Sequence, residues 1–295
     1  MGAFETVWGS VGPVFILVGL GWFFGRRGKF DAKPLLDWVI YIAMPALIIH
    51  SLSRAPIAPS HLLEVGFGNI FVVFAVVGMA RLYVRLKGDR DPEVVVCSAF
   101  ANAANIPLPL ALFAFGEEGL SHQIIYMTCN AVLLYTVGVA LLSPGKTGWR
   151  LVLRLPLVYA TLGGLALSLT DTSLPMLVAR PIEMLGQTSI PLMLFSLGFT
   201  IGGRAEMRIR EVVPIVALRI LGGGLAGVLY VWLIAPAPAV QRAILLGAFM
   251  PAAVQSYVLS AKFSGNPARA AAVVLVSTLL AAFYIPLLVY WLSSG

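Results

Sequence analysis

Apolar residues run along this chain in long blocks, each closed by a short polar or basic connection. A helix needs roughly 20 such residues to cross the hydrocarbon core of a bilayer. The pattern predicts ten spans, near residues 6–24, 34–53, 62–83, 93–115, 122–142, 153–170, 178–201, 212–234, 240–262 and 269–292. The connections between them leave no room for a sizeable soluble domain. In two blocks the apolar pattern breaks. Residues 98–116 carry Asn102, Asn105, Pro107 and Pro109, and residues 247–265 carry Pro251, Gln255 and Ser256. In lipid every backbone N–H and C=O must be bonded internally, and a proline removes a donor and crowds the preceding turn. The two breaks are therefore expected to be buried in protein or to line a wet cavity.

The broken blocks resemble each other. At an offset of 149 residues, Ala99-Phe100 matches Ala248-Phe249, Ala103-Ala104 matches Ala252-Ala253, Leu110 matches Leu259 and Gly116 matches Gly265. Two further pairs agree in order. Asp37 and Pro45 align with Glu183 and Pro191, and Leu17-Val18-Gly19-Leu20 resembles Leu162-Gly163-Gly164-Leu165. Five spans per half is an odd number, so the second half enters from the opposite face. The expected fold is an all-α membrane protein of ten transmembrane helices in two inverted five-helix repeats. These are residues 1–142 and 153–295, joined by a cytoplasmic linker at 143–152. Interrupted spans at corresponding places of inverted halves are the sequence mark of a secondary transporter's binding site.

Composition and charge sharpen this picture. The chain is 59% hydrophobic and 11% charged, where a soluble chain carries about 25% charged residues. Basic residues gather on alternate connections: Arg26, Arg27, Lys29 and Lys33; Arg81, Arg85, Lys87 and Arg90; Lys146, Arg150 and Arg154; Arg204, Arg208 and Arg210; Lys262 and Arg269. The opposite connections hold only Arg54, Arg180 and Arg242. The positive-inside rule makes the first set cytoplasmic and places both termini outside, in a plasma membrane or a bacterial inner membrane. The same bias accounts for the net charge of +7 without a nucleic-acid partner. Cys97 and Cys129 fall inside spans and read as packing residues, with no metal-ligand pattern and no cofactor motif.

A broken span also leaves a half-helix N-terminus near the midplane, whose free N–H groups and positive dipole end suit an anion. Two such ends meeting from inverted halves make a positive, hydrogen-bonding spot with no formal charge. Asn102 and Asn105 flank the first break, before Pro107. Their amides could hold a carboxylate, or Asn105 could simply cap the half-helix that starts near Ile106-Pro107. Gln255 and Ser256 follow Pro251 at the corresponding depth and read as cavity lining, with plain helix–helix bonding as the alternative. Asn130, in the middle of span 5, either supports the site or bonds a neighbouring helix, since a bare amide is costly to bury. Pro45 and Pro191 read as kinks, and Gly222-Gly223-Gly224 as a close-packing position. All thirteen acids lie in connections or at span ends, so no midplane carboxylate is available for a proton or a bound cation. His50, His61 and His122 fall toward the outer ends of their spans and read as interfacial. Arg219 is the one basic residue well inside a span. It either lies on an anion's path or snorkels to the cytoplasmic surface.

At these motifs the chain resembles the auxin efflux carrier family, which includes plant PIN-like carriers and bacterial organic-acid transporters. The resemblance is carried by residues 102–110 (Asn-Ala-Ala-Asn-Ile-Pro-Leu-Pro-Leu), by Pro251-Ala252-Ala253-Val254-Gln255-Ser256 and by Ser277-Thr278 with Pro286 in the last span. It extends over essentially the whole chain. It implies a scaffold of spans 1, 2, 6 and 7 and a transport domain of spans 3–5 and 8–10. It further implies that broken helices 4 and 9 cross at the substrate site, that homodimers form through the scaffold, and that movement is of the elevator type. The chain departs from the family in span 9, where Ala252 and Gln255 stand for a common second proline and Asn. The related bile-acid sodium symporters carry a glutamate near Pro251, and its absence speaks against their sodium site.

These readings converge on a carrier of small organic anions, held by Asn102, Asn105, Pro107, Pro251, Gln255, Ser256 and Asn130, with Arg219 on the anion's pathway. The alternative is a sodium-dependent organic-anion symporter. An intramembrane enzyme would need a paired catalytic set at one depth, and the chain has no HExxH, no buried Ser–His pair and no aspartate pair.

Overall fold

A computed structural model describes residues 3–27, 33–54, 58–88, 91–143, 150, 153–202, 209–263 and 266–294. Among these residues the regular elements are all helices, as suits a backbone that finds no water to bond. The helices are α1 (Ala3–Arg27), α2 (Lys33–Trp38), α3 (Met44–Arg54), α4 (Pro59–Lys87), α5 (Pro92–Ala99), α6 (Pro107–Leu133), α7 (Val139–Leu142) and α8 (Pro156–Leu169). They continue as α9 (Met176–Gln187), α10 (Ser189–Ile201), α11 (Ile209–Ala217), α12 (Gly223–Ile234), α13 (Pro238–Ala248), α14 (Val254–Phe263) and α15 (Pro267–Ser294). Proline opens α4, α5, α6, α8 and α13, where its missing N–H would have no helical partner and its fixed φ suits the first turn.

Four stretches are long and apolar enough to cross a bilayer: Pro59–Lys87, Pro107–Leu142, Arg210–Ile234 and Ala268–Ser293. Other apolar blocks are divided. A π-helical turn, Val39–Ala43, separates α2 from α3, and Thr188 separates α9 from α10. Two more π-helical turns lie at Leu134–Gly138 and Leu218–Gly222. Such turns are rare and gather at functional sites. At Gly116 the backbone takes φ 70°, ψ −164° and bends α6 between its first turns and the rest of its length. The surface belongs to lipid rather than water. Leu86, Leu177, Trp232 and Phe283 are each more than 75% exposed, and contiguous apolar surface of this kind is foreign to a soluble monomer.

The helices gather in two sets of contacts. Helix α1 runs along α10, and α3 packs on α8 and α9. The closest approach is between α1 and α10, where Gly21-x3-Gly25 faces Gly198-x3-Gly202. A Cβ on Gly21 would overlap the Phe195 carbonyl, and one on Gly198 would overlap the Val18 carbonyl. Small residues at such spacing let helix backbones touch in lipid, where apolar burial offers no drive for association. In the other set α4 packs on α5, α6 and α12, α13 packs on α4, α6 and α12, and α15 packs on α11 and α14.

Two sequence readings change on the structure. His122 is not interfacial but 1% exposed. Its Nε2 lies 3.1 Å from His61 Nδ1, and its Nδ1 lies 2.8 Å from the Glu118 carbonyl, so the pair ties α4 to α6. Sequence position alone missed this because the outer end of a span can face protein as well as headgroups. Glu93 stands at a span end as expected but is 1% exposed, with Arg269 Nη1 3.6 Å from its carboxylate and 3.0 Å from Asp91. Removing one partner of a buried pair costs about 3–5 kcal/mol because the other charge is stranded. Arg269→Met is therefore expected to destabilise the protein by about that much, and Glu93→Gln in the same chain to recover most of it, read as thermal stability in detergent.

Candidate functional site

The two broken blocks meet. Helix α5 ends at Ala99 and α13 at Ala248, and the chain resumes helix at Pro107 in α6 and at Val254 in α14. Between these ends the non-helical residues 100–103 and 250–253 pass each other, joined by an antiparallel bridge between Ala101 and Ala252. The Asn102 N–H donates to the Pro251 carbonyl at 2.7 Å, and the Ala253 N–H donates to the Phe100 carbonyl at 3.0 Å. Each break thus supplies partners for groups the other has freed. Four helix ends converge there: the C-termini of α5 and α13, and the N-termini of α6 and α14.

Side chains from other spans satisfy the remaining backbone groups, as burial demands. Asn130 Nδ2 donates to the Ala101 carbonyl at 3.1 Å, and Gln123 Nε2 to the Ala103 carbonyl at 3.5 Å. The Tyr284 hydroxyl donates to the Phe249 carbonyl at 2.7 Å. Ser277 Oγ accepts from the Ala252 N–H at 3.1 Å while donating to the Val274 carbonyl. Arg219, in the π-helical turn before α12, is fully buried. Its Nη1 donates to the carbonyls of Ser98 and Ala99 at 3.0 and 2.7 Å, and its Nη2 to the Ala248 carbonyl at 2.8 Å. It does not snorkel to a surface but holds the last carbonyls of α5 and α13.

A cavity of about 370 Å³ adjoins the crossing. Its walls are Ala101, Ala103 and Ala104 of the first break, Ala253, Val254, Gln255, Tyr257 and Val258 of the second, and Met127, Asn130, Leu134 and Tyr135 of α6 and the π-helical turn after it. Ile40, Met44 and the start of α8 at Leu155-Pro156-Leu157 close the far side. Two of the three π-helical turns thus face the cavity, and the third carries Arg219. A second cavity, about 300 Å³, lies between α3, α6 and α9 and is lined by His50, Ser51, Glu117 and Glu183 among others.

The residues singled out in the sequence come together unequally. Asn130 and Gln255 line the cavity. Asn102 is 2% exposed and stands between the lining residues Ala101 and Ala103. Its Oδ1 accepts the Asn105 N–H at 3.1 Å, whereas among the described residues neither its Nδ2 nor Asn130 Oδ1 has a partner. Asn105 does not cap α6: the cap position is Ile106 with no side-chain bond, and the turn is braced from Asn102 instead. Pro107 and Pro251 are buried at the crossing. Ser256 is wholly buried behind the wall, with its hydroxyl unpartnered. Gln123, Ser277 and Tyr284 were not singled out beforehand as site residues. The signal was present, since each is a polar group in an apolar span, but nothing in the spacing says which backbone atom it serves.

What this arrangement can do is hold a small solute with few charges. The Asn130 and Gln255 amides, the start of α14 and apolar walls meet in one chamber, with no carboxylate among its described lining residues. The chain is similar to known membrane transport proteins. A family model described as "Membrane transport protein" matches residues 6–149 and 145–289. A Rhizobium meliloti protein named "Putative malonate transporter" is 26% identical over 97% of this chain and 96% of its own. A Methanothermobacter thermautotrophicus protein named "Uncharacterized transporter" is 29% identical over 97% of each chain. The chain belongs to this membrane transport family, the auxin efflux carriers, and is an integral, multi-pass membrane protein.

Proposed function

We propose that this member of the family carries small organic anions across the membrane by alternating access, with the cargo's carboxylate held at the crossing of the two broken blocks. The observation that carries this reading is the crossing itself. Two interrupted helices from corresponding parts of the chain cross beside a cavity, with the start of α14 in its wall, the start of α6 just past the lining residue Ala104, and Asn102 Nδ2 without a partner among the described residues. In this reading the ten spans form two inverted five-helix repeats. Spans 1, 2, 6 and 7 form the scaffold and the dimer contact, and spans 3–5 and 8–10 move as the elevator. Support comes from the contacts of α1 with α10 and of α3 with α8 and α9, although α1 also touches α6 and α15. The cavity lies where the sets meet, as a cargo site in an elevator must.

The cavity's apolar wall suits the hydrocarbon part of a carboxylic acid, and the amides suit its head. The relative named for malonate places dicarboxylates among the acids to try first. Proteoliposomes on a solid-supported membrane, challenged with mono- and dicarboxylates, are expected to give a saturable current for at least one acid. The current should persist when choline replaces sodium, because no lining residue offers a carboxylate to a cation. A current that appears only with sodium would replace this reading with a sodium symporter.

A further inference from the structure

Arg219 poses a problem of charge. Its guanidinium is wholly buried in the middle of a span, and arginine stays protonated in proteins. An isolated charge there is costly. Among the described residues no carboxylate pairs with it, and the titratable side chains acting on it are the phenols Tyr126 and Tyr284. What surrounds the guanidinium is the carbonyls of Ser98, Ala99 and Ala248, the last turns of α5 and α13. Its counter-charge is the negative end of two helices. The packing is built around this fit: a Cβ on Gly223 would run into the guanidinium and come within 2.5 Å of the Ala248 carbonyl.

We infer that Arg219 sets the charge of the crossing without touching the cargo, by cancelling the negative ends of α5 and α13 so that the positive ends of α6 and α14 prevail. Each helix end is equivalent to about half an elementary charge. Four ends meeting symmetrically would sum to nothing. The two C-termini contribute about −1, the guanidinium offsets it, and about +1 is left from the two N-termini, the complement of one carboxylate. The crossing becomes selective for anions while its cation sits behind the backbone, out of the cargo's reach. Asn102 Nδ2, a buried donor with no acceptor among the described residues, belongs to the same crossing. Arg219 is thus a positioning and charge-setting residue, and the inference rests on the anion-carrier reading only for the identity of what is attracted.

A tethered anion tests this without knowing the cargo. Ala104 lines the cavity just ahead of α6. In a chain with Cys97→Ala and Cys129→Ala, Ala104→Cys places a thiol there, and its rate of alkylation by neutral iodoacetamide against pH gives its pKa. The thiol is expected below the ordinary value of about 8.5 despite its enclosure. Arg219→Gln, which keeps donors for the carbonyls but loses the charge, should raise it by about one unit, roughly a tenfold loss of reactivity at fixed pH. Arg219→Lys should leave it low. A purely structural Arg219 would let Gln and Lys act alike, and that result overturns the inference. So does a thiol at or above the ordinary value in the Arg219 protein, a reading that needs no Arg219 variant to fold. A depressed thiol in a protein that carries no carboxylate would leave this role standing and sink the carrier reading. A carboxylate current with an undepressed thiol would do the reverse.

Discussion

Asn102→Asp is expected to weaken carboxylate transport by at least about 100-fold, read as the acid concentration giving half-maximal current. The substitution changes one atom and little shape. Asp keeps an oxygen to accept the Asn105 N–H, so the turn into α6 survives. What it removes is the buried Nδ2 donor, which has no partner among the described residues, and what it adds is an acceptor. A hydrogen bond to a charged group contributes about 1.5–3 kcal/mol, or roughly 10–150-fold, before any repulsion between two carboxylates is counted. Gln255→Ala, on the opposite wall and less buried, should cost about tenfold by the same scale. Equal transport by the Asp variant and the unaltered protein would remove Asn102 from the site.

Gly198→Leu is expected to lower stability by an amount comparable to the loss of Arg269. A Cβ there already overlaps the Val18 carbonyl of α1, and Gly21 stands in the same relation to Phe195. The obstructing atoms are backbone and cannot turn aside, so α1 and α10 must separate along their whole contact. Overpacking of even pliable cores costs about 1–3 kcal/mol, and here about 3 kcal/mol or more is expected, a fall in Tm on the order of 10 °C. Gly19→Ala, on α1 with open space around its Cβ position, should stay within about 0.5 kcal/mol. A similar small effect at Gly198 would mean that the α1–α10 contact is not as close as described.

The breaks were legible in the sequence because they violate a strict rule: Pro107 and Pro251 strip backbone partners where lipid supplies none. From that, burial of the two segments followed, while their crossing was what the family resemblance implied. The partners that complete the crossing were not legible. Tyr284, Ser277 and Gln123 look like isolated polar residues in apolar spans, and their spacing along the chain carries no trace of the carbonyl or N–H each serves across the fold. Arg219 was conspicuous, yet its depth in the span suggested a pathway or a snorkelling anchor. Only the convergence of two helix C-termini, which hydropathy cannot report, gives it its carbonyl partners. His122 shows the same limit. Depth along a span can be read from sequence; the direction a side chain faces at that depth depends on which helix lies beside it.

The central claim is that a carboxylate binds at the crossing, and its most direct test is to see one there. Crystals of the purified protein grown with 3-bromopropionate, measured at the bromine edge, would locate the acid by anomalous scattering. The expected result is a bromine peak inside the cavity bounded by Ala103, Asn130 and Gln255, with the carboxylate toward Asn102 and the start of α6. A peak in the cavity lined by Glu117 and Glu183, or none inside the helices while the same acid drives a saturable current, would contradict it.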